Sequence, residues 1–373
     1  MSLKKMQRRP FLLIASAALL GIAGCGGGAD KDSDGGSASS GETKRIIILT
    51  NGPDPFWDTC EAGAKAAEKE LKLGDAKLKV DFQRGDFTDK KQIDMLKQYV
   101  LASDVAAVGI SVFNPNSRNL VAEMKTLQEK GVKVITIDSD VNRDKFRDAR
   151  FGYLGTDNII GGTELGRAAR AISPDGANFA FFVGDLGVAN AKERMQGFIN
   201  GSEGADFKEL SRLADGGDRP KARKNAEDTL DRHKDCNMLV GIWAYNTPQI
   251  INVLKARNLR EMVKVICFDA AQDSIKGMGD GNVDVMVVQN PYQMGFEGVT
   301  LMKALIEDDQ STVKKMYPNY KQEGEGDLYR TQLRVVVPDE GSPATKDLFG
   351  EDTIFFKYSE FKKWLEERGL ISS

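Results

Sequence analysis

Six polar residues lie just after apolar, β-branched runs, at points where a helical pattern begins. Five come within four residues of the end of such a run, and the sixth, Arg194, lies one turn into the helix after residues 179–183. In open α/β sheets, ligands bind in the crevice outside the carboxyl ends of the strands. Carboxylates there accept hydrogen bonds from hydroxyl groups, whereas arginine and amide groups donate them. The pattern predicts a site for a small polyhydroxylated ligand, formed by Asp54, Asp138, Arg194, Asn246, Asp269 and Gln289.

These residues come without a nucleophile and base pair. The chain has no Gly-x-Ser-x-Gly motif, no P-loop and no CxxC motif, and its only histidine, His233, lies in a charged stretch. We therefore expect no enzyme activity, no cofactor and no metal. A pair of carboxylates acting as in a glycosidase is the remaining catalytic alternative.

The amino-acid composition limits the kinds of function and the number of domains that the protein can have. The 373 residues carry 52 basic and 55 acidic side chains, a net charge of −3, and 41% are hydrophobic. A nearly balanced charge gives no electrostatic basis for binding nucleic acid. The length allows two domains.

The N-terminus has the features of a targeting segment. Basic residues at positions 4–9 precede an apolar run at 11–20, and Ile22-Ala-Gly-Cys25 is typical of a bacterial lipobox. The apolar run is too short to make a good membrane span. We predict a signal peptide over 1–24 and a lipid on Cys25, with an ordinary signal peptide as the alternative. Residues 25–43 would form the lipidated cysteine and a flexible tether, so that the protein is anchored to a membrane of the cell envelope without spanning it.

From residue 44 onward, strand and helix patterns alternate, and the strands are continuous apolar runs as in parallel sheets buried on both faces. The predicted fold is α/β, with two Rossmann-like doubly wound parallel-sheet lobes joined by a three-crossing hinge. Strand candidates lie at 45–50, 78–82, 106–111, 132–137, 178–183, 207–213, 237–242, 263–268 and 283–288.

Breaks in this pattern divide the chain. They fall at 151–162, directly after Gln289, and at 328–337. We predict an N-terminal lobe of residues 44–156 plus 290–332. The C-terminal lobe would contain residues 157–289 plus 333–373, including a C-terminal extension.

The extension and the cysteines add two expectations. Phe361, Trp364 and Leu365 at helical spacing predict a helix that packs Trp364 onto the second lobe, with a partner-binding surface as the alternative. Cys60, Cys236 and Cys267 are predicted to be thiols, because the strand ends that carry the last two are too far apart for a disulfide.

The chain from about residue 44 to 337 resembles the periplasmic sugar-binding proteins of the ribose/galactose type, which have the type 1 periplasmic binding protein fold and serve ABC importers. The segments that carry the resemblance are Asp54-Pro-Phe-Trp57, Ile135-Thr-Ile-Asp138, Gly155-Thr-Asp-Asn-Ile-Ile-Gly-Gly162, Glu193-Arg194 with Gly197-Phe198, Phe268-Asp269, and Gln289 with Gln293-Met-Gly295. The resemblance implies two lobes closing on one monosaccharide or related polyol, an ABC permease as partner, and a monomer.

The resemblance also implies residue roles. Asp54 matches an Asn or Asp that bonds sugar hydroxyls, and Phe56 and Trp57 match two aromatic positions. Asp138 and Arg194 match an acidic and a basic contact, one in each lobe. The remaining polar contacts are matched by Asn246, Asp269 and Gln289. Further candidates are Ser111, Asn114, Trp243 and Tyr245.

Each role has a structural alternative. Asp54 and Asp269 are also suited to capping helices. Arg194 would serve equally as a surface ion-pairing residue, and Phe56 or Trp57 as core packing.

The chain also departs from the ribose-binding pattern. Ser139 stands where ribose-binding members carry arginine, and the loop at 214–218 has glycines in place of an aromatic residue. Trp243 or Tyr245 would replace that ring.

Two biological functions are compatible with this binding chemistry. The first is delivery of a monosaccharide to an importer. The second is a sensory receptor subunit that presents a sugar or sugar-like signal to a membrane receptor. A transcription factor would need a helix-turn-helix before the first lobe, where this chain has the targeting segment and tether.

Overall fold

Three consecutive isoleucines form the centre of the first sheet. Ile46, Ile47 and Ile48 point alternately to opposite faces of their strand, and at most 1% of any of them is exposed. A strand buried on both faces needs cover on both sides, which helices in a doubly wound sheet provide.

The computed structural model describes residues 42–321 and 326–373. The described strands are β1 (Lys44–Leu49), β2 (Leu78–Gln83), β3 (Val105–Ile110), β4 (Lys133–Ile137), β5 (Tyr153–Gly155), β6 (Gly176–Val183), β7 (Asp206–Ala214), β8 (Met238–Gly241), β9 (Lys264–Phe268), β10 (Val285–Val288), β11 (Leu328–Arg330), β12 (Arg334–Val337) and β13 (Ile354–Lys357).

The described helices are α1 (Phe56–Glu70), α2 (Asp89–Leu101), α3 (Arg118–Glu129), α4 (Arg143–Phe146), α5 (Asn158–Ile172), α6 (Ala189–Ser202), α7 (Arg219–Arg232), α8 (Asn246–Arg257), α9 (Gln272–Gly279), α10 (Pro291–Glu307), α11 (Gln310–Met316) and α12 (Tyr358–Glu366). The nine strand candidates are present, with ends shifted by two residues or fewer, and helices lie between them.

The strands form two sheets, each the core of one lobe. The first lobe contains a six-stranded sheet in the order β11-β5-β4-β3-β1-β2, with parallel pairing throughout. The second lobe contains a seven-stranded sheet in the order β13-β12-β10-β9-β8-β6-β7. Its pairing is parallel except between β10 and β12, which run antiparallel. The predicted fold of two doubly wound α/β lobes is confirmed, with this one antiparallel pair as an addition.

The chain passes between the sheets at three places, which we call the hinge. These are the connection from β5 to α5, the connection from β10 to α10, and the connection from β11 to β12. Polar contacts tie the connections to one another: Arg330 pairs with Asp157 at 2.7 Å, and Gln293 Oε1 accepts from the amide of Gln332 at 2.9 Å.

A glycine pair lets α5 and α6 approach closely in the second lobe. A Cβ added at Gly162 would lie 2.1 Å from the carbonyl oxygen of Arg194, and one added at Gly197 would lie 2.2 Å from that of Ile159. Side chains at these positions would push α6 away from α5. The glycines therefore fix where α6, and with it Arg194, stands over the sheet.

The region after β12 contains β13 and α12. Phe361 is fully buried and Trp364 is partly buried, and both pack on the apolar layer formed by the second sheet. The predicted helix and its packing are confirmed. Cys60, Cys236 and Cys267 are free, as predicted, and all three are buried.

The predictions for residues 1–41, including the signal peptide, Cys25 and most of the tether, lie outside the described residues. Over the ranges that are described, no helix has the length and apolarity needed to cross a membrane.

Candidate functional site

Two aspartates occupy equivalent positions in the two lobes. Asp138 directly follows β4, and Asp269 directly follows β9. Both adopt the left-handed backbone region, with φ of 65° and 68°. Few residues other than glycine do so, although aspartate tolerates this region better than most.

Neighbouring strands hold both aspartates in this conformation. The amide of Asp138 donates to Leu154 O at 2.9 Å, and that of Asp269 donates to Val287 O at 2.8 Å. The turn at each aspartate places a carboxylate outside the carboxyl end of its sheet. We call Asp138 and Asp269 the acidic pair.

Arg194 is a buried cation of the second lobe. It is 3% exposed, and its Nη1 lies 3.4 Å from the carboxylate of Asp269. Its other bonds go to Asn158 Oδ1 at 2.9 Å and to the carbonyl of Ile242 at 3.2 Å. The guanidinium stacks over the ring of Phe268, 3.9 Å from its centroid. These contacts fix its orientation, so the surface ion-pairing alternative does not describe it.

Gln289 completes the environment of Asp269. Its Nε2 donates to Asp269 Oδ1 at 2.8 Å, and only 3% of the residue is exposed. Burial raises the pKa of Asp269, while Arg194 and Gln289 act in the opposite direction. The second-lobe aspartate is thus bonded to an arginine and an amide from two different elements.

Asp138 has fewer donors. Ser111 Oγ, at the end of β3, donates to its carboxylate at 3.2 Å, and the Tyr153 hydroxyl donates to its backbone carbonyl at 3.0 Å. Burial raises the pKa of Asp138 to about 6; Arg194 opposes this, and Asp269 adds to it. Since Arg194 and Asp269 belong to the other lobe, the two halves of the site face each other.

The loop before α1 brings Asp54 to the same place. Its charge also raises the pKa values of both members of the acidic pair. Asp54 Oδ1 accepts from the amide of Phe56 at 2.9 Å, so the carboxylate organises its own turn while remaining partly exposed. The N-cap residue of α1 is Pro55, and no side chain makes a capping bond there, so Asp54 closes a turn before the helix and does not cap it.

Phe56 and Trp57 differ in exposure. Trp57 is 2% exposed, packs in the first-lobe core and donates from Nε1 to Asn51 Oδ1 at 3.0 Å. Phe56 remains half-buried, edge-on to Trp57 with ring centroids 5.0 Å apart. Of the two predicted aromatic contacts, Phe56 is the one with accessible ring surface.

Asn246 is fully buried, and both ends of its amide are engaged by the protein. Oδ1 accepts from the amide of Trp243 at 3.0 Å, and Nδ2 donates to Asp215 Oδ2 at 2.8 Å. Asp215 also accepts from the Tyr245 hydroxyl and from the amide of Gly217. Asn246 therefore holds the loop that carries the two aromatic candidates.

Asp215 is not among the predicted site residues. It directly follows β7 and is 2% exposed, and burial raises the pKa of its carboxyl. Its position directly after a strand is the same signal that predicted the other site residues.

Trp243 and Tyr245 are half-buried at the end of β8. Their rings meet edge-on at 6.4 Å, and Trp243 Nε1 donates to Asn190 Oδ1 at 3.1 Å. Both rings pack against Gly184 at the end of β6, where an added Cβ would lie 2.0 Å from the Trp243 ring. They form an aromatic surface at the carboxyl edge of the second sheet.

Ser111 and Asn114 differ in burial and in the groups that they bond. Ser111 is buried and bonds Asp138, whereas Asn114 is exposed and its Oδ1 accepts from the amide of Asn116 at 3.1 Å in a local turn. The structure therefore joins Ser111 to the acidic pair and leaves Asn114 at the surface.

No group of three or more His, Cys, Asp or Glu side chains suited to hold a metal ion occurs within 42–321 and 326–373. The arrangement of carboxylates, one guanidinium, amides and ring surfaces is suited to reversible binding of a ligand rich in hydroxyl groups.

Two doubly wound lobes that meet at a polar cleft define the class of two-lobed solute-binding proteins. Residues 46–310 match the family model described as periplasmic binding protein domain, and the chain belongs to that family. Membership implies the periplasm or cell envelope as its location.

Similar curated proteins are named for sugars. The ribose import binding protein RbsB of Escherichia coli is 24% identical over 286 residues, covering 76% of this chain and 90% of its own. The fructose import binding protein FruE of Bifidobacterium longum is 25% identical over 319 residues, covering 84% and 92%.

Solved structures show the same fold. An ABC transporter solute-binding protein from Burkholderia graminis, in complex with D-arabinose, gives a TM-score of 0.67 at 24% identity, covering 82% of this chain and 99% of that one. The glucose-galactose binding protein GanP of Geobacillus stearothermophilus gives 0.66 at 23%, covering 80% and 98%.

Proposed function

We propose that this chain is the solute-binding component of an ABC importer, and that it captures a monosaccharide or related polyol between its lobes. The observation that carries the proposal is the acidic pair: Asp269 lies 3.4 Å from Arg194 in the second lobe, and the charges of both residues act on the pKa of Asp138 in the first lobe. A ligand with hydroxyl groups on both sides bonds both carboxylates only when the lobes are together. Binding therefore favours closure.

The contact set follows from what each side chain bonds or faces: residues of the acidic pair and the groups bonded to them or placed beside them are assigned to the ligand, and residues whose polar groups are bonded elsewhere are not. We assign direct contacts to Asp54, Phe56, Asp138, Arg194, Asp269 and Gln289, with Tyr245 and Trp243 as the second-lobe ring surface. Trp57 and Asn246 are buried, and their polar groups bond other residues of the protein, so they position the contact residues without touching the ligand.

The lobe boundaries that best agree with the sheets are 44–156 plus 290–332 and 157–289 plus 333–373. The antiparallel pairing of β12 with β10 and its parallel pairing with β13 support assigning residues after 332 to the second lobe.

A thermal-shift panel tests the proposal. The protein from residue 44 onward is heated with individual pentoses, hexoses and polyols, including the ribose, fructose and arabinose named for the relatives. At a hundredfold excess over its Kd, a ligand adds about 2.7 kcal/mol to the free energy of unfolding, which gives a clear rise in Tm. A folded, ligand-free protein that responds to no sugar would contradict the proposal.

The lipid anchor is a separate part of the proposal. In cells fed labelled palmitate, the full chain should incorporate label and Cys25→Ala should not. Cys60→Ala is the matched control, since Cys60 is buried in α1. Label on the Cys25→Ala variant would disprove attachment at that cysteine. We expect a monomer, which light scattering of the protein from residue 44 onward would show.

A further inference from the structure

Ser372 and Ser373 lie buried beside the hinge. They are 6% and 4% exposed, and they follow a turn at Gly369, whose φ is 65°. That turn closes α12 through a hydrogen bond from the amide of Leu370 to Leu365 O at 2.9 Å. The chain is thereby directed back from α12 toward the candidate site.

Ser373 is bonded to the residue that follows Asp269. Its amide donates to Ala270 O at 3.1 Å, and the amide of Ala270 donates to Ser373 O at 3.0 Å. The amide of Asp269 itself is bonded to Val287 on β10. The left-handed turn at Asp269 is therefore restrained on one side by β10 and on the other by Ser373.

Ser372 is bonded to the first lobe. Thr59 Oγ1, on α1, donates to Ser372 O at 2.8 Å, and Thr59 is 1% exposed. Thr59 lies three residues after Phe56 on the same helix. Two consecutive residues thus bond opposite lobes: Ser372 bonds the helix that carries Phe56, and Ser373 bonds the loop that carries Asp269.

A buried arginine supports this segment from the hinge. Arg334 is 1% exposed; its Nη1 donates to Ser373 Oγ at 2.9 Å, and its Nη2 donates to Asn290 Oδ1. Its guanidinium lies 3.9 Å from the ring centroid of Trp364, and Arg368 stacks on the same ring at 4.4 Å. Asn290 caps α10, so Arg334 links Ser373 to the second hinge connection.

We propose that Thr59, Ser372 and Ser373 form a bracket across the hinge, and that they are positioning residues for ligand capture. The bracket holds Asp269 in its site conformation and ties it to the first lobe. Because the Thr59 bond joins groups of different lobes, an opening motion must stretch or break it. The bracket therefore favours the closed arrangement and the affinity that depends on closure. This inference rests on the proposed function for its ligand, but not for the motion.

Matched variants test each half of the bracket. Thr59→Val removes the hydroxyl at nearly constant volume, and Thr59→Ser keeps it. Ser373→Pro removes the amide that donates to Ala270, whereas Ser373→Ala keeps that amide and loses only Oγ. Spin labels at the exposed positions Lys97→Cys and Lys192→Cys, on α2 and α6, report the distance between the lobes without any ligand.

We expect Thr59→Val and Ser373→Pro to shift or broaden the inter-lobe distance distribution, while Thr59→Ser and Ser373→Ala match the parent protein. With the sugar found in the thermal-shift panel, loss of one buried hydrogen bond should weaken binding about fivefold. The distance measurement remains informative even if no sugar binds, so failure of the bracket is distinguishable from failure of the proposed function.

Three outcomes would overturn the proposal. The first is an unchanged distance distribution in both Thr59→Val and Ser373→Pro. The second is Thr59→Ser behaving like Thr59→Val, which would assign the effect to packing. The third is a lower Tm without any change in the distances, which would make the segment a purely structural part of the second lobe.

Discussion

The acidic pair consists of two aspartates with nearly the same backbone and different surroundings. Each follows a central strand in the left-handed region. Asp269 lies 3.4 Å from Arg194 and accepts from Gln289 at 2.8 Å. Asp138 receives one weak bond from the hydroxyl of Ser111 at 3.2 Å, and its pKa is raised to about 6.

This difference indicates that the two lobes are organised to different degrees around their aspartates. The second lobe is preorganised, because its carboxylate already has a cation and an amide in place. The first lobe presents a carboxyl group that is short of donors. On the proposed function, a ligand hydroxyl would supply the missing donor, so the free energy gained on binding would be concentrated at Asp138, while Asp269 would set the orientation of the ligand.

The largest effect is expected from Arg194→Met. Removing one partner of a buried ion pair leaves the other charge uncompensated, which typically costs about 3–5 kcal/mol. We expect the free energy of unfolding, measured by urea denaturation, to fall by that order. The double variant Arg194→Met with Asp269→Asn should recover part of the lost free energy of unfolding, because the uncompensated charge of Asp269 is then removed. A single variant as stable as the parent would show that the second lobe is not organised by this pair.

Asp269→Asn should weaken binding with a smaller effect on the fold. Hydrogen bonds to charged groups contribute about 1.5–3 kcal/mol, roughly a 10- to 150-fold change in Kd. Asparagine tolerates the left-handed backbone, whereas Asp269→Ala adds backbone strain of about 1 kcal/mol or more. Calorimetric titration with the sugar found by thermal shift measures the loss. Unchanged affinity in the asparagine variant would remove Asp269 from the site.

Asp138→Asn should stabilise the ligand-free protein at neutral pH. A carboxyl with a raised pKa binds its proton more tightly when folded, so its contribution to the free energy of unfolding falls as pH rises from about 4 to about 6 and stays low above. Solvent screening of the half-buried carboxyl limits the gain to about 1–2 kcal/mol.

The measurement is a pair of Tm profiles from pH 4 to 8. The variant should exceed the parent at pH 7.5, and the two curves should converge toward pH 4. Parallel curves would mean that Asp138 titrates normally, and the contrast within the acidic pair would disappear.

Much of this arrangement is predictable from local sequence. The isoleucines of β1 and the valines of β10 are apolar on both faces, which specifies buried parallel strands, and strand ends then locate Asp138 and Asp269. The glycines at 162 and 197 likewise signal the close crossing that positions Arg194.

The remainder depends on long-range contacts that no local pattern encodes. Trp57 and Phe56 are adjacent aromatics, and only the packing of α1 decides which one is buried. Asn246 was predicted to be a contact, yet its amide is taken by Trp243 and Asp215, the latter 31 residues away. The bond between Thr59 and Ser372 spans 313 residues.

The smallest effect, and the finest test of the contrast, is expected from Ser111→Ala. The variant removes the one side-chain donor that the described part of the chain gives the Asp138 carboxylate, a bond of about 0.5–1.5 kcal/mol. The pKa of Asp138 should rise further, so the pH range over which the Tm falls should move upward while the maximum Tm changes little. Ser139→Ala is the matched control: Ser139 is the next residue after Asp138, but its hydroxyl donates to Val112 O at 2.7 Å. If both serine variants shift the profile equally, a general change in the loop explains the effect. A shift confined to Ser111→Ala would mean that the first lobe holds its carboxylate by this single bond, and that a ligand hydroxyl has a free acceptor to fill.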